Sequence, residues 1–128
     1  MANPNIVSVA TIAGFSLGVH LTTSNIDIID VSAEHIVKVN FIQVANVDGT
    51  NAATCSISVI KENLTPLGIV NVDTSGTFFL AKTVNVPADD ILVVIDKPIY
   101  LVETDILRVV ASAASDLDLF VSYEVIVD

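Results

Sequence analysis

Residues Leu117 to Asp128 read Leu-Asp-Leu-Phe-Val-Ser-Tyr-Glu-Val-Ile-Val-Asp, and this stretch decides the fold class. Leu117, Leu119, Val121, Tyr123, Val125 and Val127 share one parity, while Asp118, Ser122, Glu124 and Asp128 share the other with Phe120 and Ile126. Successive side chains of a strand point to opposite faces, so this period of two marks a half-buried β-strand. The second face is not purely polar, because Phe120 and Ile126 stand among the acids. Together with Tyr123 they are the candidate residues for contact with another sheet or another subunit.

The same branched chemistry runs through the chain. Val, Ile and Thr supply 46 of the 128 residues. Their stiff side chains fit a pleated sheet better than a helix. No segment repeats apolar residues with helical spacing over three turns, and Val31 to Val37 has room for one helical turn at most. The length is that of one domain, 1–128, able to bury a core without disulfides.

Outward from the closing stretch, turn residues divide the chain into strands. Ile6 to Ile12, Phe15 to Thr23 and Asn25 to Asp30 come first, with Gly18 marking a bulge or a close approach. Ile36 to Ala45 follows, with Val37, Val39 and Phe41 on one face. The cluster Asn46-Val47-Asp48-Gly49-Thr50-Asn51 then leads to Ala53 to Lys61. Asp-Gly supplies positive φ for a tight turn, so Ile36–Lys61 is expected to be an antiparallel hairpin. Asn63 to Gly68 breaks the sheet, and Ile69 to Asp73 is a short strand before the Thr74-Ser75-Gly76 turn. Thr77 to Val84 and the nearly all-apolar Ile91 to Ile95, expected to be buried on both faces, are next. Pro98 makes Lys97 to Leu101 an edge or a strand start, and Ile106 to Ser112 precedes the closing strand. The result is an all-β, antiparallel β-sandwich or jelly-roll-like domain of nine or ten strands. Residues 1–30 either join the sandwich or form an arm that swaps between subunits.

Chemistry is hard to find. The net charge is −10, and the five basic residues, Lys38, Lys61, Lys82, Lys97 and Arg108, are spread singly, which argues against nucleic acid as a partner. No apolar run approaches the roughly 18 residues of a membrane span, and the first residues do not form a secretory signal. Cys55 is alone, so an intramolecular disulfide and a Cys-based metal site are excluded; it reads as a small buried residue. His20 and His35 show no spacing that would join them to carboxylates as metal ligands. Asp89-Asp90, Glu103 with Asp105, and Asp116 with Asp118 sit at turns, where Asp is explained by Asx-turn bonding rather than by calcium. Gly14-Phe15-Ser16-Leu17-Gly18 matches a nucleophile elbow by letters but lacks the following helix. Asn63-Leu64-Thr65 is a glycosylation sequon by letters only. The reading is of a chain that is not an enzyme and has no catalytic, metal or cofactor site. The apolar fraction of 52% is high for a monomer of this size, which points both to a large aliphatic core and to apolar surface buried against other subunits.

From Phe41 onward the sequence resembles a class of small structural proteins of tailed bacteriophages, many from marine and cyanobacterial phages. The resemblance rests on Ile42 to Asn46 before the Asp48-Gly49 turn, Val86-Pro87-Ala88, Pro98-Ile99-Tyr100-Leu101, the strand opening Asp105 to Val109, and Ser122-Tyr123-Glu124. It covers residues 36–128, and it departs from the pattern at Thr104, where the class has glycine. It implies a non-enzymatic virion component: a decoration or cement protein on the capsid surface, a homo-oligomer (trimer favoured), with the major capsid protein as partner. A neck, tail or fibre-associated protein is the alternative within that class. A carbohydrate-binding or adhesion module is the alternative outside it, although aromatic side chains to stack on sugar are few.

Overall fold

The computed structural model describes residues 11–62 and 75–127. The expected break at Asn63 to Gly68, the strand Ile69 to Asp73, the sequon and residues 6–10 of the first candidate strand lie outside them. The described strands are β1 (Thr11–His20), β2 (Ile26–Asp30), β3 (His35–Asn46), β4 (Ala53–Lys61), β5 (Gly76–Val86), β6 (Ile91–Ile95), β7 (Ile99–Leu101), β8 (Ile106–Ala111) and β9 (Leu117–Val127). They build two antiparallel sheets, one in the order β1-β9-β3-β6 with β7 also on β3, the other in the order β2-β8-β4-β5.

The pairings are nested. β4 pairs with β5, β3 with β6 and β7, β2 with β8, and β1 with β9. The chain is thus one long folded-back ribbon wound into two layers, and the pairs β3–β9 and β4–β8 close each layer. This is an all-β antiparallel sandwich, the class that the period-two pattern and the short turns imply. Within residues 11–30, β1 pairs with β9 and β2 with β8 of the same chain.

The core lies between the inner faces. Val37, Val39, Ile42 and Val44 of β3 and Leu117, Leu119 and Val121 of β9 meet Ile57 and Val59 of β4 and Leu107 and Val109 of β8, all buried. Each such side chain contributes about 1.5–3 kcal/mol by leaving water. Cys55 is among them, and burial pushes its thiol pKa up.

Four local expectations change. First, Ile36–Lys61 is not a hairpin: β3 belongs to one sheet and β4 to the other. Gly49 does not take positive φ, so the primed turn that a tight hairpin needs never forms. Buried Asn46 instead donates from Nδ2 to the carbonyls of Asn51 at 3.0 Å and Val86 at 2.9 Å. Its Oδ1 accepts from Asp48 N at 2.8 Å, while Asp48 Oδ1 accepts from Thr50 N at 2.8 Å. These bonds carry the chain across the sandwich as an arch. Second, β3 pairs Val39 with Tyr123 and then Phe41 with Ser122, so Asn40 is an extra, bulged residue. The bulge reverses parity: Ile42 faces the core and Phe41 does not. Third, β6 is an edge strand, and its outer residues Ile91 and Val93 are exposed rather than buried on both faces. Fourth, the two N-terminal candidates meet in the single strand β1, which keeps register with β9 through Gly14 and Gly18 without a bulge.

The departure at Thr104 has a visible consequence. Asp105 N donates to Val102 O at 3.0 Å, closing a β-turn in which Thr104, the third residue, has φ 73°. That is the position where a type II turn calls for glycine. The turn is held from both sides: Thr104 N donates to Val31 O at 2.8 Å, and buried Asp105 accepts from Lys61 Nζ at 2.7 Å and Val102 N at 2.9 Å.

Candidate interaction surface

The surface worth building residue by residue is the outer face of the β1-β9-β3-β6 sheet. Its rows follow from the registers. Ile12, Ile126 and Ile36 form the first. Gly14, Glu124, Lys38 and Tyr100 form the second. Ser16, Ser122 and Phe41 form the third. Gly18, Phe120, Gln43 and Val93 form the fourth, and His20, Asp118, Ala45 and Ile91 the fifth.

Large apolar side chains punctuate this face: Ile12, Tyr100, Phe120, Val93 and Ile91 are each 45–57% exposed. Gly18 lies opposite Phe120, and a Cβ there would meet Phe120 Cδ1 at 3.7 Å, an ordinary van der Waals distance. Neither a bulge nor an approach tighter than ordinary contact marks Gly18. The small residues Gly18 and Ala45 leave an open depression of about 290 Å³ bounded by His20, Gln43, Asp118 and Phe120. A second depression of about 320 Å³, bounded by His20, Val47, Ser115 and Asp118, adjoins it.

Among the described residues, the acids on this face, Glu124 and Asp118, each have a cationic or imidazole neighbour. Glu124 lies 3.6 Å from Lys38 Nζ, and Asp118 Oδ1 lies 2.6 Å from His20 Nδ1. The other interstrand ion pair of a sheet surface, Arg108 with Asp27, lies on the opposite sheet. There the guanidinium holds the Asp27 carboxyl below the usual carboxylate range by hydrogen bonding, with Nε–Oδ1 at 2.6 Å.

The pairing of His20 with Asp118 invites a catalytic reading because Ser115 borders the same depression. The geometry does not support it. Ser115 makes no hydrogen bond to the imidazole, and the His20 side chain is 87% exposed, so there is no dry, preorganised site for a developing charge. His35 does not join it; its Nδ1 contacts Ala33 O at 2.7 Å. Among the described residues no three His, Cys, Asp or Glu side chains converge as a metal site would require. Ser16, the nucleophile of the elbow-like letters, is simply an exposed strand residue opposite Ser122.

No protein-family model matches the chain, and no curated protein matches its sequence. Among solved structures, it is similar to a subunit of the disulfide-linked pili that form Bacillus endospore appendages, at 8% identity and a TM-score of 0.45, covering 91% of this chain and 87% of that one. The VP2 subviral particle of infectious bursal disease virus gives 12% identity and a TM-score of 0.42 over 94% of this chain and 34% of that one. A pentameric capsid protein isolated from metagenomic phage sequences gives 17% identity and a TM-score of 0.35 over 89% and 64%. The chain thus spans about a third of the length of the bursal disease virus protein.

The three residues singled out from the closing strand are placed differently from one another. Phe120 stands on the outer face and is 48% exposed. Ile126 shares that face but is only 7% exposed, between Ile12 and Ile36, so it offers no free surface of its own. Tyr123 faces the other way, packs against the core and stacks on Phe15 with ring centroids 5.7 Å apart. The His20–Asp118 contact was invisible in the spacing because 98 residues separate the pair. Only the β1–β9 register brings them together.

Proposed function

We propose that this chain is a non-enzymatic structural subunit of a phage particle: a decoration (cement) protein on the capsid surface. In this reading it is a homotrimer whose subunits bind the major capsid protein across capsomer joints. The observation that carries the reading is the outer face just described, an open sheet with five large exposed apolar residues and with Glu124 and Asp118 beside Lys38 and His20. Phe120 is the anchor of that face, an aromatic side chain opposite Gly18 with a depression beside it; Tyr123 and Ile126 brace the strand behind and beside it. Aromatic anchors in cleared pockets dominate interface energetics. A face that buries about 800 Å² per partner supports a stable complex. Jelly-roll sandwiches recur in viral capsid domains as well as in lectins, which is support by analogy of fold. The residues that resemble the phage class supply the choice between them.

The test is binding to heads. Purified protein is added to phage heads that lack it, and co-sedimentation is measured for the wild type and for Phe120→Asp. The reading expects saturable binding by the wild type and a loss of at least about tenfold in affinity for the variant, the scale of an interface anchor. No sedimentation of the wild type with heads rejects the capsid role.

A further inference from the structure

Among the described residues each sheet has two edges, and three of the four are blunted. β2 is five residues long, has a register shift between Asp27 and Ile29, and carries Asp27 and Asp30. β5 has two register shifts against β4, a residue of positive φ at Thr83, and Lys82 lying 5.0 Å over the Phe79 ring. The edge made by β6 and β7 is interrupted by Asp96-Lys97-Pro98. Short strands, bulges, charges and proline are the devices that keep a sheet edge from pairing with another chain.

β1 has none of them. It runs ten residues in unbroken register with β9, from Thr11 opposite Val127 to His20 opposite Asp118. It contains no Asp, Glu, Lys or Arg. Among the described residues nothing pairs with its outer side, and Ile12 and Phe15, on opposite faces of the strand, are 57% and 52% exposed. Its backbone N–H and C=O groups on that side form an unbroken template for pairing.

We infer that the free edge of β1 pairs antiparallel with β1 of a second copy of this chain, joining two sheets into one across a two-fold axis. The occupant follows from charge. At −10 per chain, most of the surface repels a second copy, and the uncharged run of residues 11–19 is where two copies meet without opposing acids. An edge that pairs with itself is self-complementary, as a two-fold contact requires. Paired residues must lie on the same face, so the axis passes through a residue rather than between two. An axis at the middle of the strand, through Phe15 or Ser16, pairs nearly the whole of β1 and brings the two Phe15 rings together. The contact is distinct from capsid binding, and its occupant rests on charge rather than on the proposed trimer. In a trimer it is the link from one trimer to the next.

The experiment is sedimentation equilibrium from about 1 to 200 µM on the wild type, Ser16→Glu, Ser16→Lys and, as a control on another edge, Lys82→Glu. Ser16 is exposed, so the variants keep the fold, which circular dichroism checks. The axis places each new charge within two residues of its own symmetry mate, so either sign opposes pairing. The wild type is expected to show a concentration-dependent doubling of mass. That step weakens about tenfold in both Ser16 variants and is unchanged in Lys82→Glu. Three results overturn the inference: no doubling in the wild type, doubling indifferent to Ser16, or opposite effects of Glu and Lys, which would mark a long-range charge effect. None of these bears on binding to heads, so the two proposals fail separately.

Discussion

Replacing Thr104 by glycine should stabilise the protein. Thr104 is a β-branched residue at φ 73°, where the Cβ crowds the following carbonyl, at a cost of about 1–2 kcal/mol. Its hydroxyl oxygen is buried with no hydrogen-bond partner among the described residues, which adds to the cost of keeping Thr there, within about 1–3 kcal/mol. Against this, glycine loses more chain entropy on folding, roughly 0.5–1 kcal/mol, and the Thr methyl loses its packing. The balance is a gain of about 1–2 kcal/mol. For 128 residues the unfolding entropy is about 0.27 kcal/mol/K, so Tm should rise by about 4–7 °C. The main-chain bonds from Thr104 N to Val31 O and from Asp105 N to Val102 O are kept by the variant, so no hydrogen-bond loss is added to these costs. Calorimetry on Thr104→Gly, Thr104→Asn and Thr104→Ala checks the reasoning. Glycine should gain most and Asn, which tolerates the left-handed region, next. Ala should gain least, because it keeps the φ penalty. A Tm for Thr104→Gly equal to or below that of the wild type would refute the argument from strain.

Three further outcomes follow from particular contacts. Asn46→Ala removes the side chain that bonds Asn51 O, Val86 O and Asp48 N at the arch, and should cost about 2–3 kcal/mol in urea unfolding; a loss under 0.5 kcal/mol would mean the arch holds without it. Asp27 has its folded-state pKa lowered, first by the Arg108 hydrogen bond, so its contribution is present above the unfolded carboxylate value and is lost as pH falls through the lower folded one. Both side chains are more than a third exposed, so Asp27→Asn should cost only a few tenths of a kcal/mol at pH 7 and nothing near pH 2; an equal cost at both pH values contradicts the pairing. Cys55 is 1% exposed with its thiol pKa raised, so a thiol reagent should modify it only at the rate of global opening; rapid labelling of the native protein would contradict its place in the core.

The strands themselves were legible because their signal is local. The bounds of β4, β6 and β9 follow from alternation and turn residues. What was not legible depends on long-range pairing. Asp48-Gly49 looks like a hairpin turn, but whether β4 returns beside β3 or crosses to the other sheet depends on where β5, β8 and β9 lie. The Asn40 bulge leaves no mark in composition, yet it decides that Ile42 rather than Phe41 enters the core. The exposure of Ile91 and Val93 follows from the edge position of β6, which no pattern within Ile91–Ile95 encodes. At the candidate surface, the mixed face of the closing strand was readable, since Phe120 is on it by parity. The burial of Ile126 was not, because it needs both flanking strands and their isoleucines in register. Thr104 lies between these cases. The pattern flagged the missing glycine, and only the φ angle gives its physical cost.

The central claim is that this chain is a structural subunit of a phage head. Its most direct test is the copy number in purified particles of the phage that encodes it, by quantitative mass spectrometry against the major capsid protein. The account predicts hundreds of copies per particle, as a protein repeated over the capsid surface requires. Six or twelve copies would place the protein at the neck or tail, and absence from the particle would contradict the claim outright.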